Sequence, residues 1–406
     1  MAAEGGSQGA VDVAIVGGGI IGLSLAWRLA ARGHSVCVLE REQPGAGASS
    51  VAAGMLAPVS EVESSEQGRR ALALALRSAT LWRDFGRELE AASGASIGLS
   101  QAGTLMVARD EDEARELERQ LELRSALGLQ ASRLLPSQAR ALEPALAPVI
   151  RLAAELDGDH SVDPPAVLCA LQRACEQSGV RLACNSEVVG LEYAGGAGGS
   201  GARVAAGVRL AGGEVLRAER VVIAAGAWSG ALSFLPEQVA VPVRPVRGEL
   251  LWLRDPGATA PIRRSIRAGR VYLVPRLDGR LIVGASMEER GFEQAPRAGS
   301  VYELLRAAYE LVPLTYELCF ERVRVGFRPG TPDNLPLLGE SALGGLYLAT
   351  GHYRNGILLA PLSCELLAGA ICGDPLEERD AQLLASCDPK RFVPSASSRA
   401  TPGRRS

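Results

Sequence analysis

The chain has 406 residues, 47% of them hydrophobic and 22% charged, with a formal net charge of -3. That length supports a large core and two domains, and the composition is that of a soluble globular enzyme. The near-neutral balance gives no basis for nucleic-acid steering, and no apolar run approaches the ~20 residues that span a bilayer. Residues 1–10 are small and polar, without the basic-then-apolar pattern of a secretory signal. Eight cysteines lack CxxC spacing, and several (Cys37, Cys169, Cys319, Cys364) sit in apolar runs. Reduced, buried thiols in a cytoplasmic chain are expected. Three isolated histidines, His34, His160 and His352, do not make a metal site.

The first element is the most informative. An apolar strand from Val11 runs into Gly17-x-Gly19-x-x-Gly22, an apolar helix follows, and a second strand ends at the acid Glu40. The three glycines serve, in turn, a tight turn, unshielded backbone beside a pyrophosphate, and close helix–strand contact. The helix N-terminus attracts phosphate, with Ile20 and Ile21 in its first turn, and Glu40 can accept ribose hydroxyls. This unit grips a dinucleotide.

Residues 45–58 are small, with paired hydroxyls at Ser49 and Ser50 and an apolar end containing Ala53, Gly54 and Met55. Such composition suits close approach to a bulky ligand. A helix is predicted over 68–90 and an amphipathic outer helix over 110–127. Residues 144–165 are irregular, and a helix is predicted over 166–178. Short strands follow at 180–182 and 186–191, then a glycine-rich turn at 195–201. A strand pair is predicted at 202–210 and 215–218. The buried run 220–224 then ends at Ala225, Gly226 and Trp228, a second crossing of the nucleotide sheet, so that domain is discontinuous.

Alternation at 249–253, 271–274 and 281–284 predicts a mainly antiparallel sheet across 241–327 that roofs the nucleotide domain. A core strand at 345–350 and a helix over 356–371 close the fold, and the Ser/Pro/Arg-rich tail 390–406 is expected to be disordered. The fold class is therefore α/β: a Rossmann-like discontinuous domain (10–92, 150–235, 325–389) with an inserted α+β substrate domain (93–149, 236–324). A small-residue loop straight after the first unit, and sheet-rich sequence interrupting the nucleotide elements, favour FAD over NAD.

The motifs Tyr272-Leu-Val-Pro-Arg276, Ile282-Val-Gly-Ala-Ser-Met287, Gly326-Phe-Arg328-Pro-Gly-Thr-Pro-Asp333 and Gly351-His-Tyr-Arg354-Asn-Gly-Ile357, in this order, resemble the glycine oxidase branch of the D-amino acid oxidase family. The resemblance spans most of the chain. It implies an FAD enzyme that converts small amino acids to 2-oxo acids, ammonia and hydrogen peroxide with dioxygen. The bacterial branch feeds thiamin thiazole synthesis, and a homotetramer is implied.

By the same resemblance, Ser49 and Ser50 serve the pyrophosphate, Val188 contacts adenine, and Arg328 clamps the substrate carboxylate with Tyr272 beside it. Met287 and Arg354 line the site, and Arg41 follows the ribose-binding acid. Arg270 stands where a relative carries histidine. Gly326 stands where sarcosine oxidases carry the cysteine that tethers FAD, so non-covalent FAD is expected.

The residue chemistry agrees with those roles. Arginine's planar fork binds carboxylate bidentately. The turn His352, Arg354, Asn355, Gly356, Ile357 opens a helix whose dipole favours negative charge before it, as on a reduced flavin. A neutral substrate amine needs no side-chain base, so His352 is expected to position, not to catalyse. The competing readings are a sarcosine or D-amino acid oxidase, a dehydrogenase of the same type, and a non-catalytic FAD-binding partner.

Overall fold

The apolar runs of the opening unit become strands because they are buried on both faces, as parallel strands between layers must be. In a computed structural model, which describes residues 9–195 and 203–393, Val11–Val16 pairs in parallel with Val36–Leu39 on one side and Val215–Ile223 on the other. Arg181–Ala183 and Leu346–Thr350 extend this parallel core outward, and Leu337–Glu340 closes one edge antiparallel. The runs read as two strands at 215–218 and 220–224 are one. Val215–Ile223 pairs first with Val204–Leu210, then with Val11–Val16.

Helices Ile20–Ala31, Glu66–Ser93, Pro164–Gln177 and Gly356–Cys372 share one apolar core on this sheet. Their ends follow local chemistry. Ser65 accepts the Gly68 N–H at 2.9 Å and caps Glu66–Ser93, while Gly94 ends that helix in the left-handed region at φ 65°. Among the described residues no helix is long and apolar enough to cross a membrane.

The second sheet has eight strands in the order Cys319–Gly330, Arg244–Arg254, Arg280–Gly284, Val271–Pro275, Ser265–Ala268, Thr104–Ala108, Leu152–Leu156 and Ser132–Leu134. Every adjacent pair is antiparallel except Ser265–Ala268 with Thr104–Ala108. Two features depart from the expected pattern. The stretch 241–327 contains the helix Ala298–Leu311, whose Leu304, Ala308 and Leu311 are buried against the sheet. The boundaries expected at 150 and 325 also cut across the second sheet, because Leu152–Leu156 and all of Cys319–Gly330 belong to it.

Cys37, Cys175, Cys364 and Cys387 are buried free thiols, but Cys169 and Cys319 are exposed, against expectation. Both stand in apolar stretches yet face outward from their elements. The turn expected at 195–201 lies outside the described residues apart from position 195, as do residues 394–406 of the expected tail. The start of that tail is ordered: Pro389–Phe392 forms a 3-10 turn, and Arg391 pairs with Asp333 at 2.8 Å.

Candidate functional site

Between the two sheets lies a cavity of about 590 Å³. Its first wall is the opening unit. Gly17 has φ +113°, and a Cβ there would lie 2.5 Å from the Ala224 carbonyl oxygen. A Cβ on Gly22 would lie 2.0 Å from the Gly17 carbonyl oxygen, so Gly22 seats the helix on the turn and does not itself line the cavity. Gly19, Ile20 and Ile21 do line it, at a helix start whose first N–H groups have no intrahelical acceptor. Ser49 accepts the Ile20 N–H at 3.0 Å. Ser50 lies just behind the wall; its hydroxyl donates to the Gly47 carbonyl and accepts from Arg324 at 2.9 Å.

At one end Glu40 accepts the N–H groups of Gly18 (2.8 Å) and Glu42 (3.1 Å), which fixes its carboxylate beside the turn. Arg41 lies over the Trp228 ring at 4.5 Å, and Val188, Ala225 and Gly226 complete that end. Trp228 stacks on Phe292 with centroids 5.2 Å apart. At the other end Ala53, Gly54 and Met55 face Tyr272 and Arg328, with His352, Arg354, Asn355, Gly356 and Ile357 closing the space. Gly54 is obligatory where it stands: φ is +74° and a Cβ would lie 2.2 Å from the Val162 carbonyl oxygen. Arg276, ion-paired with Asp163, also donates to the Ala53 carbonyl and holds this loop from behind.

Arg328 is positioned by backbone. Its Nη1 donates to the carbonyls of Arg247 and Ser286, both at 3.3 Å, and a Cβ on Gly248 would fall 2.2 Å from that nitrogen. The Arg247 side chain is itself fully buried and bonded to Glu249 at 2.5 Å, which fixes the strand beneath. Among the described residues no carboxylate pairs with Arg328. Burial pushes the Tyr272 phenol up, outweighing the pull of Arg328, so it stays a proton donor.

Arg354 has a different situation. It pairs with Glu61 (3.5 Å) and Glu63 (2.8 Å), so its charge is already met by acids. Glu61 also binds Arg267 at 2.5 Å. Burial raises the Glu61 carboxyl, but Arg267 and Arg354 outweigh that and hold it below the ordinary 4.5. Neither Glu61 nor Arg267 stands out in the sequence, since each lies outside the site motifs. Glu61 is placed by a backbone clamp: Asp159 accepts the Val59 and Ser60 N–H groups at 2.9 Å, and Arg124 donates to both carbonyls at 3.1 Å. Burial, against these hydrogen bonds, pushes Asp159 up to about 6.

Two expected site residues are displaced. Arg270 is exposed at the tip of the hairpin joining Ser265–Ala268 to Val271–Pro275, beside the left-handed Gly269, because a tip side chain points away from the sheet. Arg267 of the same hairpin touches the site only through Glu61, which it pairs with from outside the cavity lining. Met287 is 47% exposed and stands at the rim, where its sulfur accepts the Tyr353 hydroxyl at 3.1 Å. His352 is buried, shares a 3.0 Å hydrogen bond with Ser363, and is pushed down to about 3 by burial, so it is neutral.

The cavity fits FAD on its own chemistry: a glycine turn that no side chain could occupy, a helix N-terminus with a hydroxyl beside it, an anchored acid, and an apolar slot beyond. The chain belongs to the FAD dependent oxidoreductase family, whose model matches residues 12–370. It is 36% identical over 362 residues to a glycine oxidase of Geobacillus kaustophilus, covering 89% of this chain and 92% of that protein. A bifunctional protein ThiO/ThiG of Trichormus variabilis is 34% identical over 388 residues, 95% of this chain and 56% of that one. The crystal structure of the Geobacillus kaustophilus glycine oxidase superposes with a TM-score of 0.84 at 34% identity, covering 95% of this chain and all of that one.

Proposed function

We propose that this protein oxidises small amino acids or amines, glycine foremost, to the 2-oxo acid and ammonia, with dioxygen as electron acceptor and hydrogen peroxide as product. The observation that carries this reading is Arg328: a guanidinium held by backbone on one side, beside a protonated Tyr272, with no carboxylate within ion-pair distance among the described residues. A small carboxylate supplies the missing partner. When bound, FAD supplies the two-electron acceptor for the substrate and the route to dioxygen.

The chain's own residues do the rest. Arg328 takes the carboxylate through bidentate, charge-assisted bonds, and the Tyr272 hydroxyl donates a further one. With that end fixed, the α-carbon and amine point into the remaining cavity, and orientation replaces a chance encounter. His352 does not take a proton, being neutral and engaged by Ser363, and Glu61 is ionised between two arginines. The amine therefore reacts in its neutral form, without a side-chain base.

In the same reading Gly17, Gly19 and Ser49 hold the FAD diphosphate, Glu40 the ribose, Val188 the adenine, and the turn from His352 to Ile357 the flavin ring. No cysteine lines the cavity among the described residues, which supports non-covalent FAD. A cytoplasmic homotetramer supplying thiamin thiazole synthesis is part of this proposal and rests on the family resemblance. The test is anaerobic bleaching of the flavin by glycine, sarcosine, D-alanine and D-proline in parallel, followed by oxygen uptake. A flavin left oxidised by all four removes the proposal.

A further inference from the structure

We propose that Arg324 is a cofactor-binding residue, reaching from the second sheet to neutralise the diphosphate of FAD beside Ser49 and Ser50. This rests on the FAD reading of the cavity but not on the choice of substrate. Four arginines line that cavity: Arg41, Arg324, Arg328 and Arg354. Arg354 is paired with Glu61 and Glu63, and Arg41 lies 3.5 Å from Glu42. Neither Arg324 nor Arg328 has a carboxylate within ion-pair distance among the described residues; Arg328 feels Glu61 from further away, and no acid is recorded acting on Arg324.

Their spacing separates their roles. Both lie on Cys319–Gly330, and alternation puts Arg324, Gly326 and Arg328 on one face, with roughly 13 Å between the outer two Cα atoms. One substrate carboxylate cannot meet both charges. The other anion this cavity takes is the diphosphate, and Arg324 is at its end. The Arg324 Nη2 donates to the Ser50 hydroxyl at 2.9 Å; the next residue, Ser49, accepts the Ile20 N–H of the dinucleotide helix at 3.0 Å. The Ser50 proton is spent on the Gly47 carbonyl, so Ser50 anchors the guanidinium from behind the wall; the Ser49 hydroxyl, which accepts from Ile20, keeps its proton, and with the remaining N–H groups of Arg324 and the helix N-terminus it makes a set of donors that suits phosphate.

The environment also calls for an anion. Arg322 sits over the same Trp252 ring as Arg324, at 4.7 and 6.0 Å, and adds a second positive charge. Burial and that neighbour both work against the protonated form of Arg324. A diphosphate offsets both penalties. Because the guanidinium comes from the opposite sheet, cofactor retention then depends on both halves of the fold.

The experiment uses the holoenzyme and no substrate: the dissociation constant of FAD, from flavin fluorescence on serial dilution, together with the flavin reduction potential. We expect Arg324→Met to raise the dissociation constant about tenfold, the loss of one partly screened charged contact, and Arg324→Lys to restore most of it. Arg324→Gln serves the same purpose if the methionine variant does not fold. A dissociation constant within about twofold of the parent overturns the proposal. Equal loss in the lysine and methionine variants also overturns it, by assigning packing instead of charge. So does a shifted potential at unchanged affinity, which would place the charge at the flavin ring. Since none of these readouts involves an amino acid, their failure is distinguishable from failure of the amine-oxidase reading.

Discussion

Replacing Arg328 by alanine removes the cation at the substrate end of the cavity that has no direct ion pair among the described residues. Its Nη1 is occupied by two long backbone contacts of 3.3 Å, which leaves the Nε and Nη2 edge for a ligand. A hydrogen bond to a charged group contributes about 1.5–3 kcal/mol, and a bidentate pair shares its desolvation, so about 3 kcal/mol is a fair total. At about 1.36 kcal/mol per decade that is a loss of roughly 150-fold in kcat/KM. Most of it should fall on KM, with a smaller fall in kcat through misorientation. FAD should stay bound, because the contacts to its far end are untouched. Stopped-flow reduction by glycine, read at the flavin absorbance across substrate concentration, measures both parameters. Reduction at the parental rate and half-saturation would refute the reasoning.

Gly248→Ala tests the same guanidinium from below: a Cβ 2.2 Å from Nη1 must push the tip aside. We expect KM for glycine to rise about tenfold with flavin content unchanged, and an unaltered KM would show that the tip adapts freely. Gly19→Val places a branched side chain where the cavity meets the helix N-terminus. The purified protein should lack the flavin absorbance band, and a yellow protein would contradict the site assignment. His352 is held near 3 against an ordinary 6.5. Between pH 6.5 and 3 the unfolded chain takes up a proton the native state refuses, so stability falls with falling pH by about 1.4 kcal/mol per unit. Asp159, raised from 3.8 to about 6, has the opposite sign in its own window but is common to both proteins. His352→Gln should therefore flatten the dependence of the urea midpoint between about pH 6.5 and 4.5, and parallel profiles would exclude a neutral buried histidine.

The dinucleotide unit is legible from residues alone because its pattern is local. Strand, glycine turn and helix are contiguous, and Gly22 answers to the Gly17 carbonyl five residues back, while Gly17 and Gly19 meet Ala224 and Ser49 from remote segments. Helices such as Glu66–Ser93 and Glu111–Ala126 are legible for the same reason, since periodicity and caps act over short range. The helix Ala298–Leu311 carries a helical period of its own, with Val301, Leu304, Ala308 and Leu311 on one face, but a strand pattern extended across 241–327 from its neighbours hides it.

Sequence by itself determined the cofactor class, the order of the site motifs and the arginine that is the candidate for the carboxylate. Tertiary structure decided which charges remain free. Arg354, expected to line the site, is compensated by Glu61 and Glu63, while Arg267 and not Arg270 supports the site through Glu61. Arg324, silent in the sequence, stands uncompensated beside Ser50. Pairing of charges depends on distances between segments remote in the chain, and local pattern carries no information about those distances.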